Sequence, residues 1–183
     1  IDQLSSHDLS TVITGSATTL FGVIYIGWLL SHALLLRFPT NPLPGLDLGL
    51  FFVILAIAGT FLADAGAFFV GRSFGKRKLA PFISPGKTWE GALGGVAGGT
   101  LGLVGTKLVF DWFIFPAPGT GMPLYHCLLL GLLLVPASIG GDLFESMLKR
   151  DAGIKDSGSL IPGHGGIMDR LDSILFALPV TYY

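Results

Sequence analysis

The chain has 183 residues, 51% of them hydrophobic and only 13% charged, with a formal net charge of −1 and a mean hydropathy of +0.71. A water-soluble domain carries roughly 25% charged residues, so this composition excludes an ordinary soluble globule and points to an integral membrane protein. The single cysteine, Cys127, excludes an intrachain disulfide framework and a cysteine-based zinc site, and no nucleic-acid partner is expected.

Five hydrophobic segments follow one another along the chain, at 14–36, 48–70, 91–110, 124–148 and 169–183. Several approach the roughly 20 residues that cross a bilayer as a helix. Helices satisfy their own backbone hydrogen bonds in lipid, so the fold class expected is all-α and polytopic, with about five transmembrane helices. The whole of 1–183 reads as one membrane-embedded catalytic domain. The chain begins at Ile1 and stops within "ALPVTYY", which suggests part of a longer polypeptide lacking its N-terminal helices.

Between the first two spans, "RFPTNPLPGLD" (37–47) is a proline-rich connector. The second span carries Asp64, an ionisable group that costs roughly 2.5–3.5 kcal/mol at the centre of a membrane helix. It faces either a polar cavity or a neighbouring helix, and Arg72 lies two turns later on broadly the same face. The third span repeats glycine at Gly91, Gly95 and Gly99. That spacing fits close small-xxx-small packing, though glycine is common in membrane helices in any case. The connector 111–123 has no Lys or Arg and sets Trp112 and Phe113 at a membrane interface.

Nine of the eleven basic residues fall in two other connectors. One holds Arg72, Lys76, Arg77, Lys78 and Lys87, the other Lys149, Arg150, Lys155 and Arg170. Five spans put both on the same side, which the positive-inside rule assigns to the cytoplasm. The cytoplasmic loops are therefore drawn near 72–90 and 149–168.

The second basic connector is flanked by acids. In "GDLFESMLKR" (141–150), Asp142, Glu145, Ser146 and Lys149 share one helical face. A solvated helix end accounts for Glu145 and Lys149, and less well for Asp142. In "GHGGIMDRLDS" (163–173), Asp169 and Asp172 are i,i+3 at the start of the fifth span. A helix dipole explains one such carboxylate. Two of them facing Asp142 fit a hard cation such as Mg²⁺, which takes one or two carboxylates and completes its shell with water and phosphates. His164 sits among Gly163, Gly165 and Gly166; it is a phosphate donor in an anion cradle or a plain loop histidine. Carboxylates for a metal, cations for phosphates and a glycine-rich cradle at a membrane surface suit phosphoryl or nucleotidyl transfer involving a lipid.

The stretch "SMLKRDAGIKDSGSLIPGHGGIMDRLDS" (146–173) resembles the signature of the phosphatidate cytidylyltransferases, or CDP-diacylglycerol synthases. Its fixed elements are Ser146, Lys149-Arg150, Lys155-Asp156, His164-Gly165-Gly166, Asp169-Arg170 and Asp172. The upstream "DAGAFFVGRSFGKRKLAPFISPGKTWEG" (64–91) is similar as well, except that Gly86 stands where the family often has a lysine before Lys87. "PGKT" (85–88) is not a phosphate-binding P-loop, because Pro81 occupies the position of the required first glycine.

The resemblance implies CMP transfer from CTP to phosphatidate, giving CDP-diacylglycerol and pyrophosphate. It implies Asp142, Asp169 and Asp172 as ligands of Mg²⁺, with room for a second cation. Lys149, Arg150, Lys155, Asp156, His164 and Arg170 would carry the chemistry. Asp64, Arg72, Ser84, Lys87, Thr88, Gly165 and Gly166 would bind substrate, while Trp89 and Glu90 read as helix-start packing and capping. The rivals are a CTP-dependent polyprenol or phytol kinase and, in another class, a membrane transporter. A homodimer stays open.

Overall fold

The computed structural model describes residues 12–39, 47–115, 119–155, 157–158 and 166–183. Its elements are helix α1 (Val12–Arg37), helix α2 (Leu48–Phe74), strands β1 (Lys78–Ala80) and β2 (Ser84–Thr88), helix α3 (Trp89–Val109), helix α4 (Leu124–Asp151) and helix α5 (Met168–Tyr182). A short π-helical turn, Phe110–Ile114, extends α3. Helices α1 to α4, with the π turn counted in α3, are long and apolar enough to cross a membrane. The expected fifth span is present as a 15-residue helix that runs to Tyr182.

Local chemistry sets the ends of these helices. Arg37 in the last turn of α1 complements the helix dipole and pairs with Asp47 at 2.8 Å. Asp47 in turn accepts from the Leu50 amide and caps α2. Thr88 caps α3 through the Gly91 amide at 3.1 Å. Glu90 reaches back to the amides of Lys76 and Arg77, which makes it a clamp on the preceding loop as well as an acid in the first turn of a helix.

Glycine decides how α2 and α3 meet. A Cβ at Gly66 would lie 2.4 Å from the Gly94 carbonyl oxygen, and one at Gly98 would lie 2.4 Å from that of Leu62. Two glycine stripes therefore run along α3. Gly94 and Gly98 lie directly on the α2 backbone, while the expected Gly95 and Gly99 face Ala63 of α2 and Val135 of α4. The core beside them, Phe51, Leu55, Leu103, Cys127, Leu134 and Val135, is fully buried. Cys127 is thus a packing residue. Helix α5 completes the bundle by setting Leu175 against Tyr25 and Leu29 of α1.

The segment 72–90, expected as a loop, contains a β-hairpin. β1 and β2 pair antiparallel, with Lys78 opposite Thr88 and Ala80 opposite Ser84 across a register shift. Lys87 ties this hairpin to α4, so both basic connectors gather at one end of the bundle. At the other end Lys107 pairs with Asp111, which accepts from the Thr120 amide at 2.7 Å. Trp112 and Phe113 there point outward, as an interfacial position requires.

Candidate active site

A cavity of about 480 Å³ opens at the basic end of the bundle. Five of the residues assigned to substrate from sequence, Asp64, Arg72, Ser84, Lys87 and Thr88, line it together with Asp142. They come from α2, the hairpin and α4, and the fold brings them together in two steps. Gly71 and Gly91 let α2 and α3 approach closely beneath the hairpin. Lys87 then crosses to α4, 2.6 Å from Asp142 and 3.5 Å from the Ile139 carbonyl oxygen.

The charged lining of the cavity sets Asp64 and Asp142 against Arg72 and Lys87. Asp64 is repelled by Asp142 and attracted by Lys87, and Asp172 is repelled by Asp142, Glu145 and Asp64. The backbones of α4 and α5 touch at this level, since a Cβ on Gly141 would lie 2.6 Å from the Asp172 carbonyl oxygen. Asp142 and Asp172 therefore face one another across a tight helix contact. Arg72 makes no ion pair with Asp64; its guanidinium lies 6.0 Å from the Phe68 ring.

A second cluster lies beside the first and is closed. Lys149 sits 2.6 Å from both Glu145 and Asp169. Asp169 also accepts from the Ser157 amide, the Ser157 hydroxyl and the Gly166 amide at 2.8–2.9 Å. One carboxylate thus draws Ser157, Gly166 and α4 to a single point. The expectation of a solvated Glu145–Lys149 pair is overturned. Glu145 is 3% exposed, and the angle to Lys149 leaves neither of its oxygens with a hydrogen bond. Tyr25 of α1, whose hydroxyl is buried and equally without a hydrogen bond, stands near Glu145 and Asp172.

The remaining assignments divide as follows. Arg150 is exposed and donates to the Ile154 carbonyl at 3.3 Å. Lys155 and Arg170 are exposed at the same end. Gly166 is buried, its amide on Asp169. Asp156, His164 and Gly165 lie outside the described residues. Of the trio Asp142, Asp169 and Asp172, Asp169 turns to Lys149, Asp142 lines the cavity with Asp64, and Asp172 lies close enough to both to be repelled by them. Among the described residues no three His, Cys, Asp or Glu side chains are arranged to hold a metal. Sequence reasoning missed Glu145 as a buried centre and Tyr25 altogether. The i,i+4 spacing to Lys149 reads as an exposed helix pair and gives no sign of burial; nothing marks Tyr25.

The description "Cytidylyltransferase family" matches residues 3–183. The chain is 42% identical over 193 aligned positions to a phosphatidate cytidylyltransferase of Synechocystis, covering 93% of this chain and 62% of that protein. It is 45% identical over 139 positions to the Haemophilus influenzae protein of the same name, covering 74% and 46% respectively. A third relative, the uncharacterized protein YnbB of Escherichia coli, is 37% identical over 97% of this chain and 53% of its own. The chain spans about half the length of the curated relatives it matches. It belongs to the cytidylyltransferase family.

Proposed function

We propose that the protein is a phosphatidate cytidylyltransferase, transferring CMP from CTP to phosphatidate with release of pyrophosphate, at a site facing the cytoplasm. The observation that carries this reading is the cavity itself. It joins Arg72, Ser84, Lys87 and Thr88 to Asp64 and Asp142 at the end of the bundle where the basic connectors meet. Cations and hydroxyls suit phosphate oxygens, and the acidic end suits a hard cation carried by the nucleotide.

The residues fit Mg²⁺ as donors. All are carboxylate oxygens, and Asp142 and Asp172 repel one another while Lys87 pairs with Asp142 alone of the two. A pair suffices where phosphates and water complete the shell. Mg²⁺ bound there would neutralise phosphate charge and polarise the α-phosphorus.

The chain's own groups account for the rest. A phosphatidate oxygen attacks the α-phosphorus in line with departing pyrophosphate. That oxygen is already anionic near neutral pH, so no strong general base is needed. The barrier lies in bringing two anions together, and positioning with charge neutralisation lowers it. Lys87, released from Asp142 as phosphates enter, and Arg72 hold phosphate oxygens. Ser84 and Thr88 orient them by hydrogen bonds. Lys149, pinned between Glu145 and Asp169, fixes the segment that leads to Arg150, Lys155 and Arg170.

Purified protein in detergent, given labelled CTP, phosphatidate and Mg²⁺, should form CDP-diacylglycerol and pyrophosphate, and chelation should stop the reaction. Release of CDP in place of pyrophosphate would favour the kinase reading. Solute flux without CTP turnover would favour transport.

A further inference from the structure

The β1–β2 hairpin carries residues that neither the cavity nor the helix packing uses. Phe82, at its turn, is 96% exposed. Trp89 and Phe74, at the adjoining helix ends, are also exposed. Lys76 and Lys78 are exposed and form no ion pair among the described residues. The hairpin starts four residues after α2 ends and runs directly into α3. It is therefore confined to the bilayer surface by the two helices that it joins.

Its tilt follows from the cavity. Leu79 and Ser84, close to the turn, line the same space as Phe68 and Asp64. Those two lie six and ten residues before the end of α2, about 9 and 15 Å back along the helix. A hairpin standing upright in water would not reach them, so it folds back over the helix ends. Leu79 lines the cavity, whereas Lys78 is exposed and is not part of its wall. Phe68 both lines the cavity and is more than half exposed, which sets the cavity wall next to the lipid-facing surface.

We propose that the hairpin is an interfacial anchor: Phe82 enters the boundary between headgroups and acyl chains, Lys76 and Lys78 hold anionic headgroups, and an anionic lipid passes from there into the cavity along Leu79 and Phe68. An apolar tip flanked by lysines is what an anionic lipid surface recognises. The passage of lipid acceptor rests on the proposed reaction; the depth of the hairpin does not.

Two measurements test this. Phe82→Cys, labelled with nitrobenzoxadiazole, is read in vesicles of phosphatidylcholine with and without phosphatidate; Cys127 is fully buried and does not compete. Blue-shifted emission, quenching by brominated lipid and protection from iodide are expected, all stronger with phosphatidate. Full iodide quenching would overturn the anchor, as would protection from both quenchers, which means that a second copy covers the tip. In the second arm, Lys76→Gln and Lys78→Gln should each raise the KM for phosphatidate about fivefold, with kcat and the KM for CTP unchanged. An unchanged acceptor KM would overturn the entry route. Lipid quenching in a protein that never turns over phosphatidate would sink the proposed reaction and leave the anchor standing.

Discussion

Two Lys–Asp pairs stand at opposite ends of the bundle and are built differently. Lys107 and Asp111 are one turn apart on the same stretch of helix, 13% and 18% exposed, and Asp111 is also engaged by the Thr120 amide. Lys87 and Asp142 come from segments 55 residues apart, are 22% and 30% exposed, and border a cavity beside two further carboxylates. The first pair is complete: each charge has its partner and the turn is closed. The second is incomplete: Lys87 pairs with Asp142, which also repels Asp64 and Asp172, at the wall of the cavity. Coupled charges gathered in a cleft are candidates for a functional site, and that is the role proposed for this pair.

Breaking the incomplete pair should have the largest effect on turnover. Asp142→Asn keeps the shape but removes the charge that faces Lys87 and Asp172. Turnover of CTP with phosphatidate should fall about a hundredfold or more, equivalent to about 2.7 kcal/mol in the barrier, while the protein remains folded in detergent. Normal turnover in this variant would remove Asp142 from the chemistry.

Next comes the packing of α2 against α3. Gly98→Val places a Cβ 2.4 Å from a backbone carbonyl of α2, and helices cannot yield as a side chain can. Overpacking of this kind costs about 1–3 kcal/mol, and a clear drop in the thermal midpoint is expected. Gly105→Ala, on the same helix with nothing within 4 Å, should leave the midpoint unchanged or raise it. Equal effects would mean that α2 and α3 do not meet through glycine.

The closed cluster sharpens the contrast through charge arithmetic. Lys149 faces Glu145 and Asp169. Lys149→Met leaves two largely buried carboxylates without their cation, a loss of about 3–5 kcal/mol. Glu145→Gln leaves the Lys149–Asp169 pair intact and keeps a carbonyl oxygen for Lys149, so its cost should stay near about 1 kcal/mol. Chemical unfolding of both variants in detergent checks the ranking, and equal losses would break it.

How much of this was legible in the chain depends on range. The spans follow from apolar runs, because lipid demands nothing else of them. The Gly91, Gly95 and Gly99 stripe was visible, but an equal spacing at Gly94 and Gly98 was not singled out, and periodicity alone cannot say which stripe meets which helix. The hairpin was hidden because its strands are three and five residues long and lie among Pro81, Pro85 and Gly86, which read as loop. The Glu145–Lys149 spacing is that of a solvent-exposed helix pair, and only the packing of α1 and α5 shows it buried. The substrate-side group Asp64, Arg72, Ser84, Lys87 and Thr88 came from likeness to a family; their convergence on Asp142 is a long-range fact that no local pattern encodes.

The smallest effect belongs to the complete pair. Asp111→Asn removes the attraction to Lys107 but keeps an oxygen for the Thr120 amide, so the turn at 119–121 should hold. An i,i+4 pair contributes a few tenths of a kcal/mol when exposed. This one is more sheltered, and about 1 kcal/mol of stability is expected to go. Turnover should not change, because Lys107 and Asp111 lie at the far end of α3 from Thr88 and touch nothing in the cavity wall. A fall in kcat without a fall in stability would mean that the two ends of the bundle communicate along α3. In that case the local pair is part of the catalytic device, and the distinction between a finished ion pair and an unfinished one no longer separates scaffold from site.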